Sequence, residues 1–256
     1  MADRLAVAGR PPVLLAVAHG TRDPAGPVAV RELLARVRAL RPSLRVAEAY
    51  GELVSPSLEE AAAALDGPAV AVPLLLGRGY HALIDIPERA GRLVPGAVTA
   101  RPLGPDALLA DALAGRLGAM PSVRRGDGGP PRPQDTVVLG AAGSADPAGA
   151  ADVREAARLL ARRLRRPVPY GFVAAGGPAL DEVVARQRRR GTGRVVVASY
   201  LLAPGRFLDR MRACGADAVT APIGAHDAAA RLVLRRYDEA RSRMGEPAAV
   251  PGDALY

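Results

Sequence analysis

Two imidazoles and one carboxylate in the first half of the chain carry its most specific chemical signal. His19 and His81 are two of only three histidines, and they end the segments VLLAVAH (13–19) and PLLLGRGYH (73–81). Glu52 stands near the end of a third segment, LRVAEAYGEL (44–53). A continuous apolar run that stops at a polar, glycine-bearing loop reads as a buried strand opening onto a surface. Two imidazoles with a carboxylate suit a divalent first-row metal such as Fe2+, Co2+ or Ni2+ and leave coordination positions open for a substrate. A lone histidine at a strand end more often caps a helix or satisfies a carbonyl. Two of them at the first and third strand ends of one lobe are harder to explain that way, because those ends are neighbours in most doubly wound sheets.

The chain repeats itself, and the repeat lacks these groups. LLAVAHGTRDPAG (14–26) aligns with VVLGAAGSADPAG (137–149), placing Ala142 opposite His19. LLLGRGYH (74–81) aligns with YLLAPGRF (200–207), placing Phe207 opposite His81. Alignment of Tyr50 with Tyr170 places Phe172 opposite Glu52. A duplicated scaffold with polar chemistry in one copy predicts an asymmetric site between two related lobes. GTRDP (20–24) and GSADP (143–147) each bring small residues and N–H groups to a helix start, which can receive a carboxylate or phosphate or can serve only as a tight turn. Neither matches a dinucleotide or P-loop pattern, and the chain has no lysine for the latter.

The elements that must position these groups alternate. Strands are expected at 13–19, 44–53, 68–76 and 97–104, with helices at 28–40 (Asp23 as N-cap), 57–65 and 106–117 and a glycine-bounded loop at 77–79. The second copy is expected to run strand 136–142, helix 152–164, strand 167–174, helix 179–190, strand 194–202, helix 207–214, strand 216–224 and helix 226–244, with His226 capping that last helix. Such alternation predicts two tandem Rossmann-like or flavodoxin-like α/β lobes, each a four-stranded parallel sheet with helices on both faces. The expected organisation is an N-terminal lobe, 12–119, a Pro/Gly/Arg-rich exposed linker, 120–135, and a C-terminal lobe, 136–245, between a loose leader and a ragged tail.

Composition narrows the partners. In a chain of 256 residues with 49% hydrophobic residues, aromatics are only 3%, so Val, Leu and Ala must fill the core. The net charge of +9 fits a polyanion, but few aromatics accompany the arginines and no RNA-binding motif is present, so nucleic acid is not expected. One cysteine excludes an internal disulfide framework and a thiolate metal cage. No segment approaches the roughly 20 apolar residues of a membrane span, and VLLAVA is too short for a signal peptide. A soluble, cytoplasmic protein is expected, with no membrane partner.

AHGTRDP (18–24), YGELVSPSLEE (50–60), PLLLGRGYHALIDIP (73–87) and PLGPDALLA (102–110) together resemble the CbiX/SirB-type sirohydrochlorin chelatases, within the class II tetrapyrrole chelatases. The resemblance covers the first lobe almost end to end and the second as a weaker copy. It implies insertion of a divalent metal, Fe2+ for sirohaem or Co2+ for cobalamin, into sirohydrochlorin or a related tetrapyrrole in a cleft between the lobes, with the metal as substrate and no organic cofactor. The two metal-site histidines of the family map onto His19 and His81, and its acidic neighbour onto Glu52. These three are the expected metal-binding and catalytic residues. Gly20, Thr21, Arg22, Arg78, Gly79, Tyr80 and Ser144 are expected around the carboxylate rim, and Phe172 and Phe207 against the macrocycle. The chain departs from the pattern at Asp106, where similar chains often carry a histidine after Gly-Pro.

Two rivals differ in class. A histidine phosphatase also uses two histidines on an α/β scaffold, but an arginine precedes its nucleophile, where Ala18 precedes His19 here. A metallochaperone or tetrapyrrole carrier would share the fold without turning over. Two lobes in one chain already supply a cleft, so a monomer is preferred over a homodimer.

Overall fold

The computed structural model describes residues 11–121, 129–144, 146–191 and 193–244. The first lobe runs β1 (Val13–Ala18), α1 (Ala25–Leu40), β2 (Val46–Tyr50), α2 (Leu58–Ala63), β3 (Ala69–Pro73), a π-helical turn (His81–Asp85), α3 (Ile86–Leu93), β4 (Val98–Thr99) and α4 (Ala107–Gly118). The second runs β5 (Thr136–Ala141), α5 (Pro147–Leu164), β6 (Tyr170–Phe172), α6 (Leu180–Arg189), β7 (Val195–Tyr200), α7 (Arg206–Arg212), β8 (Ala218–Val219) and α8 (Asp227–Arg241). Each lobe holds one parallel four-stranded sheet, ordered β2-β1-β3-β4 and β6-β5-β7-β8.

β1 is buried along its whole length because it is covered on both faces. Its period of two sends Leu14, Ala16 and Ala18 to one side and Val13, Leu15 and Val17 to the other. The second set meets α2 and α3 through Leu58, Ala61 and Ile86. The first set joins a core that continues into the other lobe, through Leu33 and Val37 of α1, Leu109 and Leu113 of α4, Leu160 of α5 and Leu232 and Val233 of α8.

The two final helices are exchanged. α8 rests on β3 and β4 of the first lobe, while α4 rests on β7 of the second. Arg236 of α8 is fully buried and donates to the carbonyls of Pro102 and Leu103, at 2.9 and 2.7 Å, and to Asp106 at 2.9 Å. Tyr237 donates its hydroxyl to the carbonyl of Pro12 at 2.7 Å. Asp106 caps α4 by accepting from the N–H of Leu108 while it pairs with Arg235 and Arg236. His226 caps α8 in the same way, accepting from the N–H of Ala228. Asp106 is thus a helix cap and an inter-lobe anchor.

Several boundaries differ from those read in the sequence. β2, β4, β6 and β8 are shorter than expected, and α5 starts earlier, at Pro147, where Asp146 caps it. The π turn and α3 occupy a stretch where no element is expected from the sequence, since Pro87 and Gly91 obscure the helical pattern. The linker expected at 120–135 falls partly outside the described residues. Of its described residues Pro130, Arg132, Pro133 and Gln134 are exposed, while Asp135 is buried and pairs with Arg194 at 2.6 Å, which closes the segment's end onto the second sheet. The expected leader and tail lie largely outside the described residues. Among the described residues no helix is long and apolar enough to cross a membrane.

Candidate metal and macrocycle cleft

β1 and β3 are adjacent, with Val17 opposite Pro73, so the loops after them leave the same sheet edge side by side. That adjacency brings the imidazoles together. The ring centroids of His19 and His81 are 4.8 Å apart, with planes inclined at 50°. His19 is followed by Gly20 at φ +98°, where a Cβ would lie 1.9 Å from the carbonyl oxygen of Glu52. Only glycine lets the two loops meet there. The main chains are joined as well: Gly51 N–H donates to Ala18 and Glu52 N–H to His19, at 2.8 and 3.0 Å.

His81 opens the π turn, in which the N–H of Ile86 bonds back to the carbonyl of His81. π turns recur at functional sites because they re-aim a side chain within a helix. His81 Nδ1 lies 3.2 Å from Oδ2 of Asp85. A carboxylate can only accept, so Nδ1 carries the proton, and in the neutral ring the lone pair lies on Nε2. Asp85 in turn meets Arg89 at 3.4 Å, and Arg89 donates to Glu59 at 3.0 and 2.9 Å and to the carbonyl of Gly51 at 3.2 Å. The hydrogen bonds from Arg89 hold the Glu59 carboxyl below the ordinary glutamate range.

Glu52 lines the same cleft but stands outside the histidine pair. Among the described residues no three His, Cys, Asp or Glu side chains form a group that could hold a metal, while the rings of His19 and His81 are in contact. The N–H of Val54 bonds to the carbonyl of Glu52 at 2.9 Å across Leu53, whose φ is +66°. This γ-turn reverses the chain immediately after the glutamate and leaves Leu53 59% exposed.

The cleft holds about 830 Å³ and is walled by both lobes, a size suited to a large organic ligand. Gly20, Thr21, Arg22, Gly79, Tyr80, Ser144 and Phe207 all line it. Thr21 and Ser144 also use their hydroxyls locally, accepting from the N–H groups of Asp23 and Asp146 at 3.2 and 3.1 Å. Tyr80 is 63% exposed and meets the His81 ring edge-on at 5.6 Å.

Phe172 does not belong to the cleft. It is 2% exposed and packs within the shared core, against the expectation that it would meet a macrocycle. The register explains the error: Ala18 pairs with Tyr50, whereas Ala141 pairs with Phe172. Tyr50 therefore corresponds to Phe172, and Glu52 to Ala174. Arg78 also has a prior partner. Its main-chain N–H and its guanidinium both donate to the buried Asp152 of α5, at 2.7 Å each, so it first joins the lobes.

Four residues escaped the sequence reading. Arg206 lines the cleft beside Arg22, and its guanidinium stands 6.0 Å over the Phe207 ring. Asp85 and Arg89 support His81; their four-residue spacing along a helix was the available signal. Tyr200 reaches across the cleft floor to the carbonyl of Leu76 at 2.9 Å, and burial raises its pKa above the ordinary range.

Known proteins share this architecture. The CbiX family pattern matches residues 13–119 and 136–240. The sirohydrochlorin ferrochelatase of Priestia megaterium is 28% identical over 212 residues, covering 78% of this chain and 76% of that one. The sirohydrochlorin cobaltochelatase of Methanococcoides burtonii is 35% identical over 79 residues, 29% of this chain and 60% of that one. The solved structure of SirB from Bacillus subtilis with Fe3+ superposes with a TM-score of 0.73 at 25% identity, covering 90% of this chain and 96% of that one. With its pattern matched across both lobes, the chain belongs to the CbiX family.

Proposed function

We propose that this protein is a sirohydrochlorin chelatase, which takes a divalent metal at His19 and His81 and inserts it into a polycarboxylate tetrapyrrole held in the inter-lobe cleft. The observation that carries the reading is the imidazole pair, 4.8 Å apart, at the edge of a cleft large enough for a macrocycle. The functions named for the ferrochelatase and cobaltochelatase relatives support it.

The chemistry is an exchange. Two pyrrole N–H protons leave as M2+ enters, so charge balances across the step. Each imidazole that releases the metal regains a lone pair, and that lone pair can accept a departing proton. Asp85 holds His81 in the tautomer that offers Nε2. Glu52 lines the same cleft, where its carboxylate would ligate the metal, balance its charge or assist proton transfer. Arg22 and Arg206 face the cleft as cations for substrate carboxylates, and Phe207 supplies apolar contact. Iron and cobalt both suit two imidazoles with open positions.

Steady-state insertion of Co2+ or Fe2+ into sirohydrochlorin, followed by absorbance, tests the proposal. Turnover well beyond one equivalent per protein is expected; saturation at one equivalent would make the protein a carrier.

A further inference from the structure

The π turn and the Glu52 loop come from different parts of the chain, yet one guanidinium holds both. Arg89 is only 18% exposed at its side chain. It contacts Asp85, the partner of His81 Nδ1, and the carbonyl of Gly51, the residue before Glu52. Its remaining N–H groups are fixed by a two-point pair with Glu59, on the capped helix α2. A planar fork bound at three sides has little freedom, which a lysine could not reproduce.

The second lobe offers an internal comparison. There α7 starts directly at Arg206 without a π turn, Phe207 stands at the place of His81, and among the described residues the one ion pair within α7 is the exposed Asp209–Arg212. Among the described residues the chain of contacts from Glu59 to His81 has no counterpart on that side.

We propose that Arg89 is a positioning residue for the metal site: through Asp85 it fixes the tautomer and orientation of the His81 ring, and through Gly51 it sets Glu52 in register with that ring. The inference rests on the metal-binding reading of His19 and His81. Partners one shell out from a metal typically contribute about 10–100-fold to affinity or activity.

The test is titration of the intact protein with Co2+ alone, reading affinity and the visible d–d spectrum. Arg89→Met is expected to weaken Co2+ binding about 10-fold or more and to alter the spectrum. Affinity for metal-free sirohydrochlorin should change little. Arg89→Lys should recover only part of the loss. Asp85→Ala, which leaves the Arg89–Glu59 pair intact, should weaken Co2+ binding similarly and keeps the test open if Arg89→Met does not fold. Wild-type affinity and spectrum in folded Arg89→Met or in Asp85→Ala, with binding lost in His81→Ala, would overturn the inference and leave the functional reading standing. A wild-type protein that binds no Co2+ would overturn both.

Discussion

Asp152, on the lobe that lacks the paired imidazoles, accepts hydrogen bonds from both the main chain and the guanidinium of Arg78, which lies on the loop leading to His81. The pseudo-equivalent loop of the second lobe has Pro204 at this place, so the latch exists on one side of the cleft. The second lobe thus holds the loop that carries a candidate ligand as well as walling the cleft. Asp152→Ala leaves the Arg78 N–H unpaired while its half-exposed guanidinium regains water. We expect a loss of about 1–3 kcal/mol in urea denaturation together with a lower kcat. Unchanged kcat in the folded variant would show that the latch does not shape the site.

Arg22 and Arg206 should bind substrate without taking part in the metal step. Arg22→Ala and Arg206→Ala are each expected to raise KM for the tetrapyrrole a few-fold, as about 0.5–1 kcal/mol per exposed ion pair implies. Their kcat should stay near wild type, and the KM of the double variant should depend less on salt. Initial rates at two ionic strengths provide the check.

The anchor between Asp106 and Arg236 makes the fold sensitive to acid. Burial pushes the Asp106 pKa up, but the N–H of Leu108 and the guanidiniums of Arg236 and Arg235 outweigh it, and the net shift is downward. A depressed folded pKa means that the unfolded chain binds the proton first as pH falls. The stabilisation is therefore complete above the ordinary aspartate pKa of about 3.9 and is lost as pH drops through the lower folded value. Asp106→Asn leaves the buried Arg236 with Glu239, at 3.3 Å, as its remaining carboxylate and should cost about 1–3 kcal/mol at pH 7. Denaturation curves from pH 7 down to about 3 should show that difference narrowing with acid.

The exchanged helices α4 and α8 make the lobes interdependent. A fragment ending after α4 would expose Leu109, Leu113 and the inner face of β3, all buried in the intact chain. We expect residues 1–121 alone to self-associate or aggregate. A stable monomer on size-exclusion chromatography with light scattering would contradict the shared core.

The strands that place His19 and His81 were legible because a fully buried parallel strand writes itself as an unbroken apolar run, as in VLLAVA and AVAVP. The cap His226 was legible for a similar local reason, whereas Asp23, expected to cap α1, stands one residue before the N-cap Pro24 and accepts from the N–H of Ala25. The repeat was visible too, but its second strand was aligned on the wrong residues. Tyr-Gly occurs in both copies, and a two-residue slip keeps every side chain on the same face, so the hydrophobic pattern gave no warning. Only the pairing of Ala141 with Phe172 exposes the slip and returns Phe172 to the core. The exchange of α4 and α8 had no local signal, since it depends on contacts between distant segments. Nor did the turn at Leu53, whose positive φ in a residue other than glycine runs against local preference.

The most direct measurement is metal insertion by His19→Ala and His81→Ala, each compared with wild type in steady-state absorbance assays with Co2+ and sirohydrochlorin. If the paired imidazoles are the metal centre, both variants should lose insertion by at least about 100-fold, or roughly 2.7 kcal/mol in transition-state stabilisation, while still binding the metal-free macrocycle. Wild-type turnover in both would show that the paired rings are not where the metal is handled.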